Sequence, residues 1–198
     1  MSRREHAVIY VTGLNDRNVA FQKRAVSWWR IYGVEPILFQ TNWTDKKSFS
    51  EKLDSLLALI DHHEISGQKV SLVGVSAGAS MAVAAYSRRG EAIHGVAFIC
   101  GKLRRPEAVG VNYYLKNPAF REAMNTLNQN IASLTKQERA RILSTHPLFD
   151  ETVVITDTFV DGAKKVILPT LFHVPSIVLG ITIFSWVPLL FLKHLAKE

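Results

Sequence analysis

Residues 70 to 78 read Val70-Ser71-Leu72-Val73-Gly74-Val75-Ser76-Ala77-Gly78 and run directly into Ala79-Ser80-Met81-Ala82-Val83-Ala84-Ala85-Tyr86. An apolar run, a serine among small residues and a helix-competent stretch together predict a strand, a tight turn and a helix. In a Gly-x-Ser-x-Gly turn the neighbouring chain comes close, so the positions two residues to either side of the serine need to be free of large side chains. Ser76 is therefore the candidate nucleophile. An ordinary turn between strand and helix would use the same five residues without chemistry, but the flanking strand and helix favour the reactive reading.

Outward from this turn, strands alternate with helices. Ala7-Val8-Ile9-Tyr10-Val11 is a β-rich run that stops at Thr12-Gly13-Leu14-Asn15-Asp16, a loop expected after a buried strand. Phe21, Ala25, Trp28 and Tyr32 recur at helical spacing, and Gly33 can end that helix. Pro36-Ile37-Leu38-Phe39 is a short strand whose proline suits a sheet edge. Ser48 and Glu51 have capping-box spacing before the apolar stripe Leu53, Leu56, Leu57, Ile60. His94 to Cys100 predicts a fourth strand and Val153-Val154-Ile155 a fifth. Between them, residues 101–151 turn polar and helical, with Asn117-Pro118 opening one helix and Thr135 to Glu138 boxing another, which predicts a helical cap-like insertion. The alternation predicts one α/β domain over residues 1–198, with right-handed crossovers between parallel strands.

Composition agrees with that class. The chain has 198 residues, 47% hydrophobic and 21% charged, which is enough to cover a sheet with helices on both faces. The formal charge of +7 could suit a membrane surface or nucleic acid, but the basic residues are scattered and no recognition motif accompanies them, so no nucleic-acid partner is expected. The single cysteine, Cys100, excludes an intramolecular disulfide and reads as buried packing. Five apolar residues, Ala7 to Val11, are too few for a signal-peptide core, and a cytoplasmic location is expected. His62 and His63 lack an H-x-x-x-H or H-E-x-x-H companion, so neither a metal nor a cofactor is expected.

From His6 to about His173 the chain resembles the α/β-hydrolase superfamily, most specifically in Gly74-Val75-Ser76-Ala77-Gly78. The resemblance implies the chain order serine, acid, histidine. Serine is a poor nucleophile at neutral pH, so an imidazole must take its proton and a carboxylate must orient that imidazole. His173, in Leu171-Phe172-His173-Val174-Pro175, is the expected base. Asp161, in Val160-Asp161-Gly162, is the preferred acid, with Asp157 as the alternative. His146 lies before both aspartates, which breaks the family order. The amides of Ala77 and Leu14 are the expected oxyanion donors, with Asn15 adding a polar contact. Two strands found at the front of larger members are missing. What remains predicts a minimal five-stranded, mostly parallel sheet of order 2-1-3-4-5.

From Val166 to Leu192 there is no Asp, Glu, Lys or Arg, so residues 176–195 predict an apolar C-terminal helix. Packing on the sheet, a homo-oligomer or membrane-surface association through residues 176–192 would each cover it. The resulting expectation is a cofactor-independent serine hydrolase of esterase or lipase type acting on a small acyl ester. The competing class is a noncatalytic protein of the same fold that binds a lipid or a protein partner through the apolar tail.

Overall fold

The strand, turn and helix around Ser76 stand at the centre of the computed structural model, which describes residues 5–14, 16 and 19–197. Six strands form one parallel sheet: β1 (His6–Val11), β2 (Glu35–Phe39), β3 (Lys69–Val75), β4 (Ile93–Ile99), β5 (Ile142–His146) and β6 (Lys164–Ile167). Their order is 2-1-3-4-5-6, and every pair is parallel. The helices are α1 (Ala20–Ser27), α2 (Phe49–Ile65), α3 (Gly78–Arg88), α4 (Val111–Lys116), α5 (Pro118–Ser133), α6 (Lys136–Ala140), α7 (His173–Ile181) and α8 (Trp186–Leu195).

Alternation along the central strands builds two separate cores. Ile9 and Val11 of β1, Val70 and Leu72 of β3, and Val96 and Phe98 of β4 face one apolar layer, closed by α2, α3 and α5. Val8, Tyr10, Val73, Val75, Ala97 and Ile99 face the other, closed by α1, α7 and α8. Because side chains on a strand alternate between faces, these near-continuous apolar runs are what a sheet covered on both sides requires. Both capping boxes form: Ser48 accepts from the Glu51 amide and Thr135 from the Glu138 amide, with each glutamate reaching back to the cap. Pro36 falls in β2, an edge strand, where a missing N–H costs no inner ladder bond.

Three expectations need correction. The sheet has six strands, because the fifth is Ile142–His146 and a sixth, Lys164–Ile167, follows it. Residues 153–155 are not a strand; Ile155–Asp157 is a short 3-10 turn. The strand signal at Ile142–His146 is hidden because three of its five residues are Ser144-Thr145-His146, polar groups that are nonetheless buried. The expected insertion over 101–151 therefore ends in sheet: its helices occupy 111–140, and β5 belongs to the fold's core. The expected single helix over 176–195 is two, α7 and α8, meeting at a bend of 54°. The tail packs on the sheet, with Ile181, Leu189 and Leu192 in the second core, and no single helix among the described residues is long and apolar enough to cross a membrane.

The tight fit of the serine turn makes a stability prediction. A Cβ built on Gly78 would stand 2.4 Å from the carbonyl oxygen of Val11 and 2.7 Å from that of Thr12, and one on Gly74 would stand 2.8 Å from Ala79 Cα. These obstacles are backbone, which cannot swing aside. Gly78→Ala is expected to cost about 3 kcal/mol or more and to lower Tm by roughly 6–12 °C in a thermal melt. Gly110→Ala, whose nearest obstacle is Tyr113 Cδ2 at 3.6 Å, should leave Tm nearly unchanged.

A second prediction comes from the opposite end of the sheet. His6 is buried, its Nε2 is 2.9 Å from Ser71 Oγ, and its Nδ1 has no partner among the described residues. Burial, helped by repulsion from His94, Lys69 and Lys193, pushes its pKa down to about 4. The unfolded chain binds this proton near pH 6.5, so the stability His6 gives is present above that pH and is lost as pH falls from 6.5 toward 4. Urea unfolding at pH 7 and pH 4.5 should show a loss of about 2 kcal/mol from this group. A folded His6→Leu variant should show a correspondingly shallower acid dependence.

Candidate active site

Ser76 follows β3 directly, and its backbone is left-handed, with φ of 50°. A residue with a Cβ is strained there at a cost of order 1 kcal/mol or more, and the surroundings hold it in place. The Ser76 amide donates to the carbonyl of Ile99 at 3.1 Å, and the Ser76 carbonyl accepts from the amides of Ala79 and Lys102, both at 3.1 Å. With Gly74 and Gly78 allowing the close approach of α3 and of the end of β1, the hydroxyl is presented at the carboxyl end of the sheet.

His173 is the first residue of α7. Its Nε2 is 2.9 Å from Ser76 Oγ, and its Nδ1 is 2.7 Å from Asp150 Oδ2. Asp150 is buried, and its other oxygen accepts from the amides of Thr152 at 2.9 Å and Val153 at 2.7 Å. Burial alone would raise this carboxyl's pKa. The hydrogen bonds from His173 and the two amides outweigh it and hold the pKa below the ordinary aspartate value. The acid is thus an ionised acceptor facing the imidazole.

The loop after β5 and the loop after β6 are fastened together, and this sets Asp150 beside His173. The Leu168 amide donates to the His146 carbonyl at 2.8 Å, Leu148 to Thr170 at 3.0 Å, and Phe172 to Phe149 at 2.9 Å. The Glu151 carboxylate accepts from the His173 amide at 2.8 Å, and the rings of Phe149 and Phe172 meet edge to face with centroids 5.9 Å apart. Phe172 takes a φ of 68° to turn the chain into α7.

Neither aspartate named from the sequence adjoins His173. Asp161 is exposed and pairs with Arg104. Asp157 is buried between two cations, its oxygens 2.5 Å from Lys102 Nζ and 2.6 Å from Arg105 Nε. The carboxylate bonded to His173 is instead that of Asp150, which still lies after the serine and before the histidine in the chain. Asp157 and Asp161 both follow residues 153–155, the expected fifth strand. With that strand at 142–146, the aspartate that follows it is Asp150. Its sequence signal is Asp150-Glu151-Thr152-Val153, an aspartate whose side chain can accept the amides two and three residues on.

Leu14 and Ala77 both line the pocket next to Ser76. The backbone of Gly13 presses on the turn, since a Cβ there would stand 2.9 Å from the Val75 carbonyl oxygen and 3.1 Å from Ser76 Cβ. Thr12 and Asp16 hold this loop. Asp16 accepts from Thr12 Oγ1 at 2.9 Å and from the Asn42 amide at 2.6 Å, and the Trp43 indole donates to the Thr12 carbonyl at 3.1 Å. Asn15 lies outside the described residues.

Cys100 Sγ, an Asp150 oxygen and a His173 ring nitrogen lie within 4.8 Å of one another. The set has the donor types of a metal site. However, Asp150 and His173 already satisfy each other, and burial raises the pKa of the Cys100 thiol, so the set reads as a thiol packed against the acid–base pair.

Two branches leave Ser76. One runs under the segment 106–120 and is lined by Ala77, Lys102, Val109, Phe120 and Val153. The other includes His173 and runs along α7 past Tyr10, Gln22, Val174, Ile177 and Val178. Leu14, Ser76, Tyr113 and Thr152 border both.

No protein-family model and no curated protein matches the sequence. Solved structures do match the fold. Est1E from Butyrivibrio proteoclasticus superposes with a TM-score of 0.71 at 12% identity, over 99% of this chain and 90% of that one. A structure reported with LipS and LipT, two metagenome-derived lipolytic enzymes, gives 0.69 at 13% identity, over 99% and 95%. The monoacylglycerol lipase of Paleococcus ferrophilus gives 0.62 at 14% identity, over 99% and 96%. Est1E with ferulic acid bound is also similar, at a TM-score of 0.64 and 13% identity, over 93% of this chain and 90% of that one. With the parallel sheet and its strand order, this likeness shows that the chain has the α/β-hydrolase fold, whose solved examples similar to it include esterases and lipases.

Proposed function

We propose that this protein is a serine hydrolase that cleaves carboxylic esters through an acyl-enzyme on Ser76. The observation that carries this reading is the continuous hydrogen-bonded line from Ser76 Oγ through both ring nitrogens of His173 to Asp150, built on a strained serine turn. In the first step His173 Nε2 takes the hydroxyl proton while Ser76 Oγ attacks the ester carbonyl. Asp150 keeps the Nδ1 proton in place and stabilises the imidazolium. The amides of Ala77 and Leu14 then receive the developing oxyanion. His173 returns its proton to the leaving alkoxide, and water, deprotonated by the same nitrogen, releases the acid and restores Ser76.

Similarity of fold to esterases and lipases supports the ester as the bond cleaved. Est1E holding a carboxylic acid supports a small-molecule substrate. The test is labelling with a fluorophosphonate: the folded protein should acquire one adduct, located on Ser76 by peptide mass. A folded protein that stays unlabelled would overturn the reading and leave the fold serving binding alone.

A further inference from the structure

The branch of the cleft that lacks His173 contains an unusual cation. Lys102 lines it beside Ser76 and Ala77, although its side chain is only 10% exposed. Its ammonium makes one hydrogen bond among the described residues, to Asp157 Oδ2 at 2.5 Å. An ammonium has three donors, and taking one out of water with donors unused is costly unless something else accepts from them.

Four charged groups meet at this point. Asp157, fully buried, is shared between Lys102 and Arg105, so two cations meet one carboxylate. The remaining acid nearby is Glu107, which is exposed and acts on Arg105. Arg104 is occupied elsewhere by Asp161 and the Phe159 carbonyl. Asp157 and Glu107 together answer Lys102 and Arg105, and of these four groups Lys102 is the one that lines the branch.

The chemistry decides which half of an ester enters which branch. His173 must hand its proton to the leaving oxygen, so the alcohol half lies in the branch that includes His173. The acyl half takes the other, where Leu14, Val109, Phe120 and Val153 can grip methylenes and Lys102 adds the charge.

Resting on the hydrolase reading above, we propose that Lys102 makes this branch an anion-reading subsite, and that the preferred substrates are esters whose acyl group carries a second, free carboxylate. The short bond to Asp157 holds the ammonium in place. The substrate's carboxylate would accept from its remaining donors, as a charge-assisted bond to an ammonium on a largely buried side chain.

Binding can be measured without catalysis. Isothermal titration of the full chain with dicarboxylates from succinate to suberate, against monocarboxylates of equal chain length, should show at least one dicarboxylate binding about ten-fold or more tightly than its monocarboxylate partner. Lys102→Met should abolish the difference. Arg105 still covers Asp157 in that variant, and Lys102→Arg should retain part of the preference. In kinetics, a mono-p-nitrophenyl dicarboxylate should exceed the neutral ester of equal length in kcat/KM by a similar factor. Equal binding of di- and monocarboxylates by the wild-type chain overturns the proposal with no variant needed, as does a preference that survives in folded Lys102→Met. Absent fluorophosphonate labelling would instead overturn the hydrolase reading, so the two failures are distinguishable.

Discussion

Ser76→Ala is expected to lower kcat for p-nitrophenyl ester hydrolysis by roughly 10⁴-fold or more and to abolish fluorophosphonate labelling, while the protein stays folded. The effect is large because, in the proposed mechanism, Ser76 Oγ supplies the atom that bonds to the acyl carbon. With it gone, His173 can at best activate a water that no element positions for attack. What rate remains would come from the Ala77 and Leu14 amides polarising the carbonyl. Stability should change little. Alanine at position 76 keeps the same left-handed backbone and loses the one hydrogen bond to His173 Nε2, so Tm should move by no more than a few degrees. Matched kinetics and melting curves for the two proteins check this. Ester hydrolysis at wild-type rate in Ser76→Ala would show that the bond is cleaved somewhere else on the molecule.

The placing of the Ser76 hydroxyl and the cost in Gly78→Ala share one cause. The turn works because Val11 and Thr12 carbonyls press against it from one side and Ala79 from the other, leaving the serine no relaxed backbone to adopt. Strain of this kind persists only where the packing around it is over-determined, and the buried small residues of α3 provide that packing. The glycines that gave the turn away in the sequence are thus the same ones that hold the hydroxyl in position.

That logic marks what was legible in the residues alone. Val70 to Tyr86 shows strand, turn and helix because each step has a strong local cause: apolar β-rich residues, side-chain-free positions, then small helix-competent ones. The capping boxes at Ser48 and Thr135 are legible for the same reason, since their partners lie three residues away. The third part of the site is different in kind. Asp150 reaches His173 because two loops 23 residues apart are stitched by backbone bonds, and nothing in the local wording shows those bonds. β5 hides for a related reason. Its Ser144 and Thr145 are buried by neighbours on both faces, with Thr145 Oγ1 bonded to the Phe98 carbonyl at 3.0 Å, whereas Val153-Val154-Ile155 looks like a strand but packs as loop and turn. An apolar run is evidence for burial, and only tertiary context decides which backbone buries it. The tail shows the same limit: its composition fits three kinds of neighbour, and packing of Leu189 and Leu192 against the sheet is a fact of the fold.

Asp150 carries the second large prediction, because of the three competing aspartates it is the one hydrogen-bonded to His173. Asp150→Asn is expected to lower kcat by about 10³- to 10⁴-fold with little change in KM. Asparagine can still accept the Thr152 and Val153 amides through its oxygen, so the loop should keep its shape. Its amide nitrogen would then face His173 Nδ1 and donate to it, which forces the ring proton onto Nε2. In that tautomer Nε2 points a proton at Ser76 Oγ and cannot take one. Asp161→Asn removes only an exposed pair with Arg104, and its kcat should stay within about two-fold of wild type. Asp157→Asn should act mainly on stability, since it leaves the buried Lys102 without its counter-charge. Steady-state kinetics on the three variants, each checked for folding by circular dichroism, separate the roles. A collapse of kcat in folded Asp161→Asn, with Asp150→Asn near wild type, would require the loops after β5 and β6 to rearrange in solution, and would return the orienting role to the turn at Val160-Asp161-Gly162.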